Sequence, residues 1–443
     1  MSLKTFTISL FLPSQAAADT EATITKWNVA DGDSFEKGQI LAEIESAKTS
    51  IDFEAPCSGK VVKLSCLAGD TVSYEVPVMD IETTDESMLN DIPVAGSQPV
   101  AVPGCGAAPV FKPEPDEPLL SGDRQVSILG IGGYLPERIV TNRELLKEFP
   151  SVTEDYIFGV TGIRERRWAK DDEKPSDMAI NAALEAIRKS GMEPKDIGGI
   201  VVATETPDML MPSTACVLQD MLGIRGVPAF DLHAACSGWL YGIGMARGMI
   251  LSNLADNILV VSTERQSQLL DQADLGTYFL FGDGAGAAVI SGSRDGHRIK
   301  NIILKADSNG LQLAKRAVPG YKISTSVGNS PWIKLDGHAM FRFATGGFSS
   351  MIQEITAKSG WSPQDVTWVI PHQANRRILK AAAPKCGIPF ERWYINIDRV
   401  GNTSSASIPL ALLELEHDLH KGDKMVFCAV GAGITIAALT LEW

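Results

Sequence analysis

Three short stretches and one lysine hold the residue types that could do covalent chemistry. Ala234-Ala235-Cys236-Ser237-Gly238 stands between PAFDLH and the helical pattern WLYGIGMARGMI. A cysteine there sits at a strand-to-helix turn, where free N–H groups and the positive end of the helix dipole lower a thiol pKa and favour thiolate. Its small neighbours leave room for a bulky thioester. His233, three residues earlier, reads as a satisfied structural histidine. Pro371-His372-Gln373-Ala374-Asn375 follows the strand pattern TWVI, and Gly401-Asn402-Thr403-Ser404-Ser405-Ala406-Ser407 forms a small-residue turn before PLALLELEHDL. Taken singly each is weak: a buried cysteine is usually inert core, a lone histidine structural, and an asparagine before Thr-Ser a cap. Lys48 lies in ESAKTSIDFEAPCSG, between two copies of a repeat. A lysine at a turn is ordinarily a solvated charge, and the repeat raises this one above that.

The repeat sets residues 24–45 against 61–82 at an offset of 37, so that Gly32-Asp33 falls on Gly69-Asp70, Ile44 on Ile81 and Glu45 on Glu82. Each copy alternates apolar and polar residues, turns at Gly-Asp and alternates again, which predicts two facing sheets related by a pseudo-twofold, with Lys48 at the tip of the hairpin joining them. The stretch 85–122, rich in Pro, Ala, Val and Gly, reads as an extended, semi-rigid linker. From Asp123 onward, strand patterns such as QVSILGIG, GGIVVAT, NILVVST, TWVIPH and KMVFCAV alternate with helical ones at 177–190 and 351–358, an α/β order. Gly130, Gly132 and Gly133, and the run Gly282-Asp283-Gly284-Ala285-Gly286, lack a full dinucleotide fingerprint and read as close-packed turns.

The 443 residues allow two to four domains, and the net charge of −14 argues against a nucleic-acid footprint. That charge is uneven. Residues 1–122 hold 7 Lys, no Arg and 19 Asp+Glu, while the remainder is nearly neutral. Seven scattered cysteines without a zinc spacing fit a reduced, cytoplasmic chain with no metal. No apolar run reaches the length of a membrane span. The first residues imitate a signal peptide, but the apolar stretch stops at Pro13 and is read as a first strand.

Residues 3–83 resemble the lipoyl/biotinyl carrier domains, above all the lipoyl domains of 2-oxo acid dehydrogenase complexes. The likeness rests on Trp27, Gly32-Asp33, Gly38, Glu45 and Ala55-Pro56…Gly59. It implies lipoate in amide linkage to Lys48, with biotin the lesser alternative. The family usually carries Asp-Lys-Ala, where this chain has Ala47-Lys48-Thr49. Residues 123–443 resemble β-ketoacyl-[acyl carrier protein] synthase III, of the thiolase fold, through LPERIVTN, TGIRER, AFDLHAACSG, FGDGAGAAV, PHQAN, GNTSSAS and GAGITIAALTLEW. That resemblance implies an α/β thiolase fold of two similar halves (123–296 and 297–443), preceded by a small all-β carrier domain (1–84) and the linker (85–122). It also implies a homodimer and the catalytic triad Cys236, His372 and Asn402, with an oxyanion hole from the N–H groups of Cys236 and the Gly431-Ala432-Gly433 turn. The family has Gly at the position of Ala432.

Where the family stacks Trp on the adenine of coenzyme A, this chain has Tyr156, and two arginines of that contact are replaced by Leu275 and Val160. Arg164, Arg342 and Arg377 keep positions used to dock acyl carrier protein. Met211 falls where the family puts an aromatic at the end of the partner subunit's acyl pocket. The resulting expectation is decarboxylative Claisen condensation of an acyl group on Cys236 with a malonyl thioester. The acyl donor would be S-acyl-dihydrolipoyl-Lys48 rather than coenzyme A, the tether raising its effective concentration. Two alternatives remain: acyl transfer to an oxygen or nitrogen nucleophile without condensation, or a carrier subunit of a dehydrogenase complex. The absence of an HxxxDG motif weighs against the last.

Overall fold

In the computed structural model, residues 5–12, 21–45, 50–73, 77–85, 124–316 and 330–443 are described. Lys48 and nearly all of the expected linker lie outside them. The chain divides into two compact units, Met1–Asp116 and Glu117–Trp443.

The first unit is built from the repeat. One sheet runs Phe6–Phe11, Pro77–Thr83, Gly59–Leu64, Ser34–Phe35, and the other Ser50–Glu54, Ile40–Glu45, Glu21–Trp27, Thr71–Ser73. The 37-residue offset carries each inner strand of one sheet onto an inner strand of the other. The hydrogen bonds repeat as well. Gly32 N–H donates to Val61 O at 2.9 Å and Gly69 N–H to Ile24 O at 2.7 Å. Both glycines have positive φ, 91° and 97°, which the Gly-Asp turns require. Asp33 and Asp70 each accept the N–H three residues back, from Ala30 and Leu67, at 2.8 Å. Ile24, Leu41, Ile44, Val61, Val78, Met79 and Ile81 bury the inward faces of both sheets. Phe6–Phe11, the stretch that imitates a signal peptide, is an antiparallel strand on Pro77–Thr83. Ile40–Glu45 and Ser50–Glu54 pair antiparallel with Glu45 opposite Ser50, so Lys48 belongs to the short connection between them.

The second unit is organised on a nine-stranded sheet in the order Ala229–Leu232, Gly199–Ala203, Asn257–Arg265, Asp283–Ser291, Ser127–Tyr134, His297–Ala306, Thr435–Glu442, Lys424–Gly431, Trp368–Pro371. Its two ends share one plan. Counting strands within each half, the first reads 3-2-4-5-1 and the second 1-5-4-2, with the place of its third strand marked by a single parallel bridge, Val369 to Trp393. Helices Gly238–Leu251 and Ser407–Leu415 follow the third position of each half. Both are apolar, and they share a core of Trp239, Ile243, Ile408, Leu412 and Phe427. Among the described residues no helix is long and apolar enough to cross a membrane.

The glycines expected in turns, Gly282 apart, lie in strands. Gly130 and Gly132 belong to Ser127–Tyr134, where a Cβ would stand 2.4 Å from Ala186 O and 2.2 Å from Ala182 O of helix Pro175–Lys189. Gly286 lies in the buried strand Asp283–Ser291, and its Cβ would meet Pro409 at 2.5 Å. Close packing is the reason for these glycines, but helices pressed on a sheet demand it, not chain reversal.

Candidate active site

The nucleophile turn hangs between the edge strand Ala229–Leu232 and helix Gly238–Leu251. Ala235 takes a positive φ of 45°, which a non-glycine residue adopts only when its surroundings hold it. The holders are identifiable. Ala235 N–H donates to Glu205 Oε1 at 2.8 Å, Thr435 Oγ1 donates to Ala234 O at 2.8 Å, and Ser237 Oγ donates to Thr435 O at 3.0 Å. The hairpin of Lys424–Gly431 and Thr435–Glu442 is thereby fastened to the turn. Gly431 allows it: a Cβ there would lie 2.8 Å from the Cys236 nitrogen.

The Cys236 thiol differs from the sequence expectation. Burial pushes it up to about 12, against the smaller opposing effects of the Ser404 hydroxyl and its own N–H. Ser404 Oγ donates to Sγ at 3.7 Å. Desolvation outweighs the helix N-terminus, so the resting group is a thiol that must give up its proton as it is acylated.

His372 follows strand Trp368–Pro371 and is 1% exposed. Its N–H donates to Cys428 O at 2.8 Å, and Nδ1 is 2.7 Å from Ser407 Oγ. Burial pushes its pKa down to about 3, so the ring is neutral at working pH. Asn402 is pinned on three sides. Its N–H donates to Leu280 O at 2.9 Å, its carbonyl accepts Gly282 N–H at 3.0 Å, and Oδ1 accepts Ser404 N–H at 2.8 Å. With Oδ1 committed, the amide nitrogen Nδ2 is the end left for a ligand.

Cys236, His372, Asn402 and Ala432 line one cavity of about 1230 Å³. Three distant stretches of the sequence thus meet. Tyr156, Val160 and Leu275 line the same cavity, so the positions that lack the expected ring and cations belong to its wall. Met211 is outside the lining and 85% exposed, next to Met209 and Leu210, which do line it. Arg164, Arg342 and Arg377 are exposed, with no ion pair among the described residues, and Arg164 sits 3.8 Å above the Phe158 ring.

Sequence reasoning missed two carboxylates and misjudged one histidine. Glu205 lines the cavity and is 3.4 Å from His233 Nδ1, and His233, 61% exposed at its side chain, also lines the cavity. Glu264 is buried behind them. It accepts hydrogen bonds from Ser405 Oγ at 2.6 Å, Gln266 Nε2 at 2.9 Å, Glu205 N–H at 3.2 Å and Thr206 Oγ1 at 3.3 Å. Burial, then the nearby Glu205 charge, pushes its carboxyl up to about 8. Charged residues at strand ends ordinarily read as solvated, and no local pattern distinguished these.

Comparison with known proteins agrees with this geometry. Residues 230–308 match the family model for 3-oxoacyl-[acyl-carrier-protein] synthase III, 356–443 its C-terminal model, and 9–81 the biotin-requiring enzyme model. The β-ketoacyl-[acyl-carrier-protein] synthase III of Deinococcus deserti is 39% identical over 326 residues, covering 72% of this chain and 91% of that protein. The Syntrophomonas wolfei enzyme is 40% identical, with 72% and 98% covered. The crystal structure of the Aquifex aeolicus synthase III superposes with a TM-score of 0.67 at 39% identity, over 72% of this chain and 100% of that one. A priming β-ketosynthase of the R1128 polyketide pathway gives 0.67 at 33%, with 72% and 96% covered. The chain therefore belongs to the β-ketoacyl-[acyl-carrier-protein] synthase III family of thiolase-fold condensing acyltransferases, preceded by a biotin/lipoyl-type carrier domain.

Proposed function

We propose that Cys236 takes an acyl group from a thioester and passes it to the enolate of a malonyl thioester on acyl carrier protein. The carrying observation is the meeting of Cys236, His372 and Asn402 in one cavity. In the first half-reaction Sγ attacks the acyl carbonyl, the bond to the donor sulfur breaks, and the thiol proton leaves with the donor thiol. In the second, His372 and Asn402 donate hydrogen bonds to the malonyl thioester oxygen as CO2 departs. The enolate carbon then attacks acyl-Cys236, whose carbonyl oxygen is held by the N–H groups of Cys236 and Ala432; the bond from the carbonyl carbon to Sγ breaks, Sγ takes up a proton from water to return to the thiol, and a 3-oxoacyl thioester is released. A neutral His372 suits this role: decarboxylation supplies the carbanion, so a donor is needed and a strong base is not. The pinned Asn402 favours condensation over plain acyl transfer, which needs no enolate stabiliser.

The carrier domain is of the type that holds lipoate or biotin covalently. Lipoate on Lys48 Nζ is our reading, because Lys48 is the lysine in the connection between two paired strands of the repeat. The lipoyl group would supply a thiol able to present an acyl group as a thioester. Arg164, Arg342 and Arg377 are exposed and have no ion pair among the described residues, which suits the docking of an acidic carrier. Ala229–Leu232 is an edge strand with a partly exposed Phe230, and Leu210 and Met211 are exposed as well, which supports a homodimer that covers the edge. The six described cysteines are all free thiols, in keeping with the cytoplasm. Loading with an acyl thioester, followed by malonyl-acyl carrier protein, tests the reading: a 3-oxoacyl product must form, and none may form in Cys236→Ala.

A further inference from the structure

Condensation as just described makes no use of Glu205 or His233, yet both face the reacting cysteine's cavity. Glu205 lies just beyond strand Gly199–Ala203 and His233 just beyond Ala229–Leu232. These strands pair in parallel with Ala203 opposite Leu232, so the two side chains emerge from neighbouring strand ends. The loop holding Glu205 follows the second strand of its half, as the loop holding His372 does in the other. The two halves therefore aim one polar group each at the space around Cys236.

The pair is arranged as a donor beside an acceptor. Glu205 Oε1 accepts Ala235 N–H at 2.8 Å, and Oε2 faces His233 Nδ1 at 3.4 Å. Among the described residues His233 Nε2 has no partner. The Glu205 hydrogen bond raises the His233 pKa and so favours the doubly protonated ring, whose Nε2 donates. Glu264 behind them is protonated at neutral pH and adds no second charge. Met209 and Leu210 line the same cavity. An apolar acyl chain laid against it would strip water from a carboxylate and an imidazole and give no hydrogen bond in return.

We propose that Glu205 and His233 select an acyl group bearing a hydroxyl on its second or third carbon. The hydroxyl would donate to the Glu205 carboxylate and accept from His233 Nε2. The position follows from the chain: Glu205 holds the N–H of the residue immediately before Cys236, so the pair meets the part of the acyl group nearest the thioester. This inference rests on Cys236 being the acyl carrier.

The test follows acylation of Cys236 in the full-length protein by intact mass, without a malonyl thioester. Butyryl-pantetheine is compared with its analogues hydroxylated on the second and on the third carbon. Wild type loads one hydroxylated analogue about 10- to 100-fold faster than butyryl. Glu205→Val brings that ratio to near one, and His233→Ala lowers it severalfold. Should the valine variant fail to fold, Glu205→Gln keeps the acceptor for Ala235 N–H and also lowers the ratio, through loss of the charge. Equal loading of butyryl and both hydroxylated analogues by wild type overturns this inference and leaves the condensing reading standing, as does a ratio unchanged in the variants. Failure of all three thioesters to acylate Cys236 overturns both.

Discussion

Replacing Gly431 by alanine puts one methyl group between the nucleophile turn and the hairpin that clamps it. The new Cβ would stand 2.8 Å from the Cys236 nitrogen, 2.8 Å from Thr435 Oγ1 and 3.1 Å from Ala234 O. Gly431 is not among the positive-φ glycines, so alanine costs no backbone strain and adds crowding alone. Ordinary contact begins near 3.4 Å, so turn and hairpin must part by about 0.6 Å. Much of what the methyl meets is backbone, which cannot swing aside. A carbonyl held between the N–H groups of Cys236 and Ala432 then keeps one good donor and is held less well by the other. Losing a donor outright costs about 10²- to 10³-fold. A displacement of this size predicts about 10- to 100-fold, or ~1.4–2.7 kcal/mol of transition-state stabilisation. The assay is the single-turnover rate of Cys236 acylation by intact mass, with thermal unfolding to confirm that the variant is folded. Acylation within twofold of wild type in a folded variant would refute the shared hold on the carbonyl.

Two further predictions follow from named contacts and a third from the carrier domain. Asn402→Asp keeps the acceptor for Ser404 N–H but removes the amide donor, so Cys236 still loads while malonyl decarboxylation falls about 10²- to 10³-fold; release of CO2 at the wild-type rate would contradict the role. Glu264, with its carboxyl raised to about 8, keeps its proton in the folded protein where the unfolded chain has lost it, so stability falls as pH rises from 6.5 to 8. The loss is at most about 2 kcal/mol over that window, where His372 is neutral in the folded state. Glu264→Gln, matched to the protonated form, should flatten this component in thermal melts, and an unchanged slope would count against it. Peptide mapping of native protein should find lipoate on Lys48, and a bare lysine would remove the basis of the acyl-bearing arm.

Legibility in the sequence followed the range of the contacts involved. The carrier repeat was readable because each Gly-Asp turn is local: a positive-φ glycine and an aspartate capping the N–H three residues back are written within four positions. The three active-site stretches were readable as motifs, each at a strand-to-helix or strand-to-loop junction. Their convergence on one cavity depends on the duplicated sheet order, which joins strands far apart in the chain. Gly130, Gly132 and Gly286 read as turns because a missing Cβ looks the same in sequence whether a chain reverses or a helix lies flush upon it. Asp283–Ser291, glycine-rich and wholly buried, does not read as a strand for the same reason. The direction of the Cys236 shift is not legible in the sequence, because a helix N-terminus is visible there and burial is not. Glu205 and Glu264 owe their place to long-range hydrogen bonds with Ala235 and Ser405 that no spacing announces.

The most direct test of the central claim is a two-stage mass measurement on the native protein. An acyl thioester alone should add one acyl group, mapped to Cys236. Malonyl-acyl carrier protein should then discharge that group as a 3-oxoacyl-acyl carrier protein with release of CO2. An acyl group found on a residue other than Cys236 or the Lys48 arm, or an acyl-Cys236 that malonyl-acyl carrier protein cannot discharge, would contradict the account.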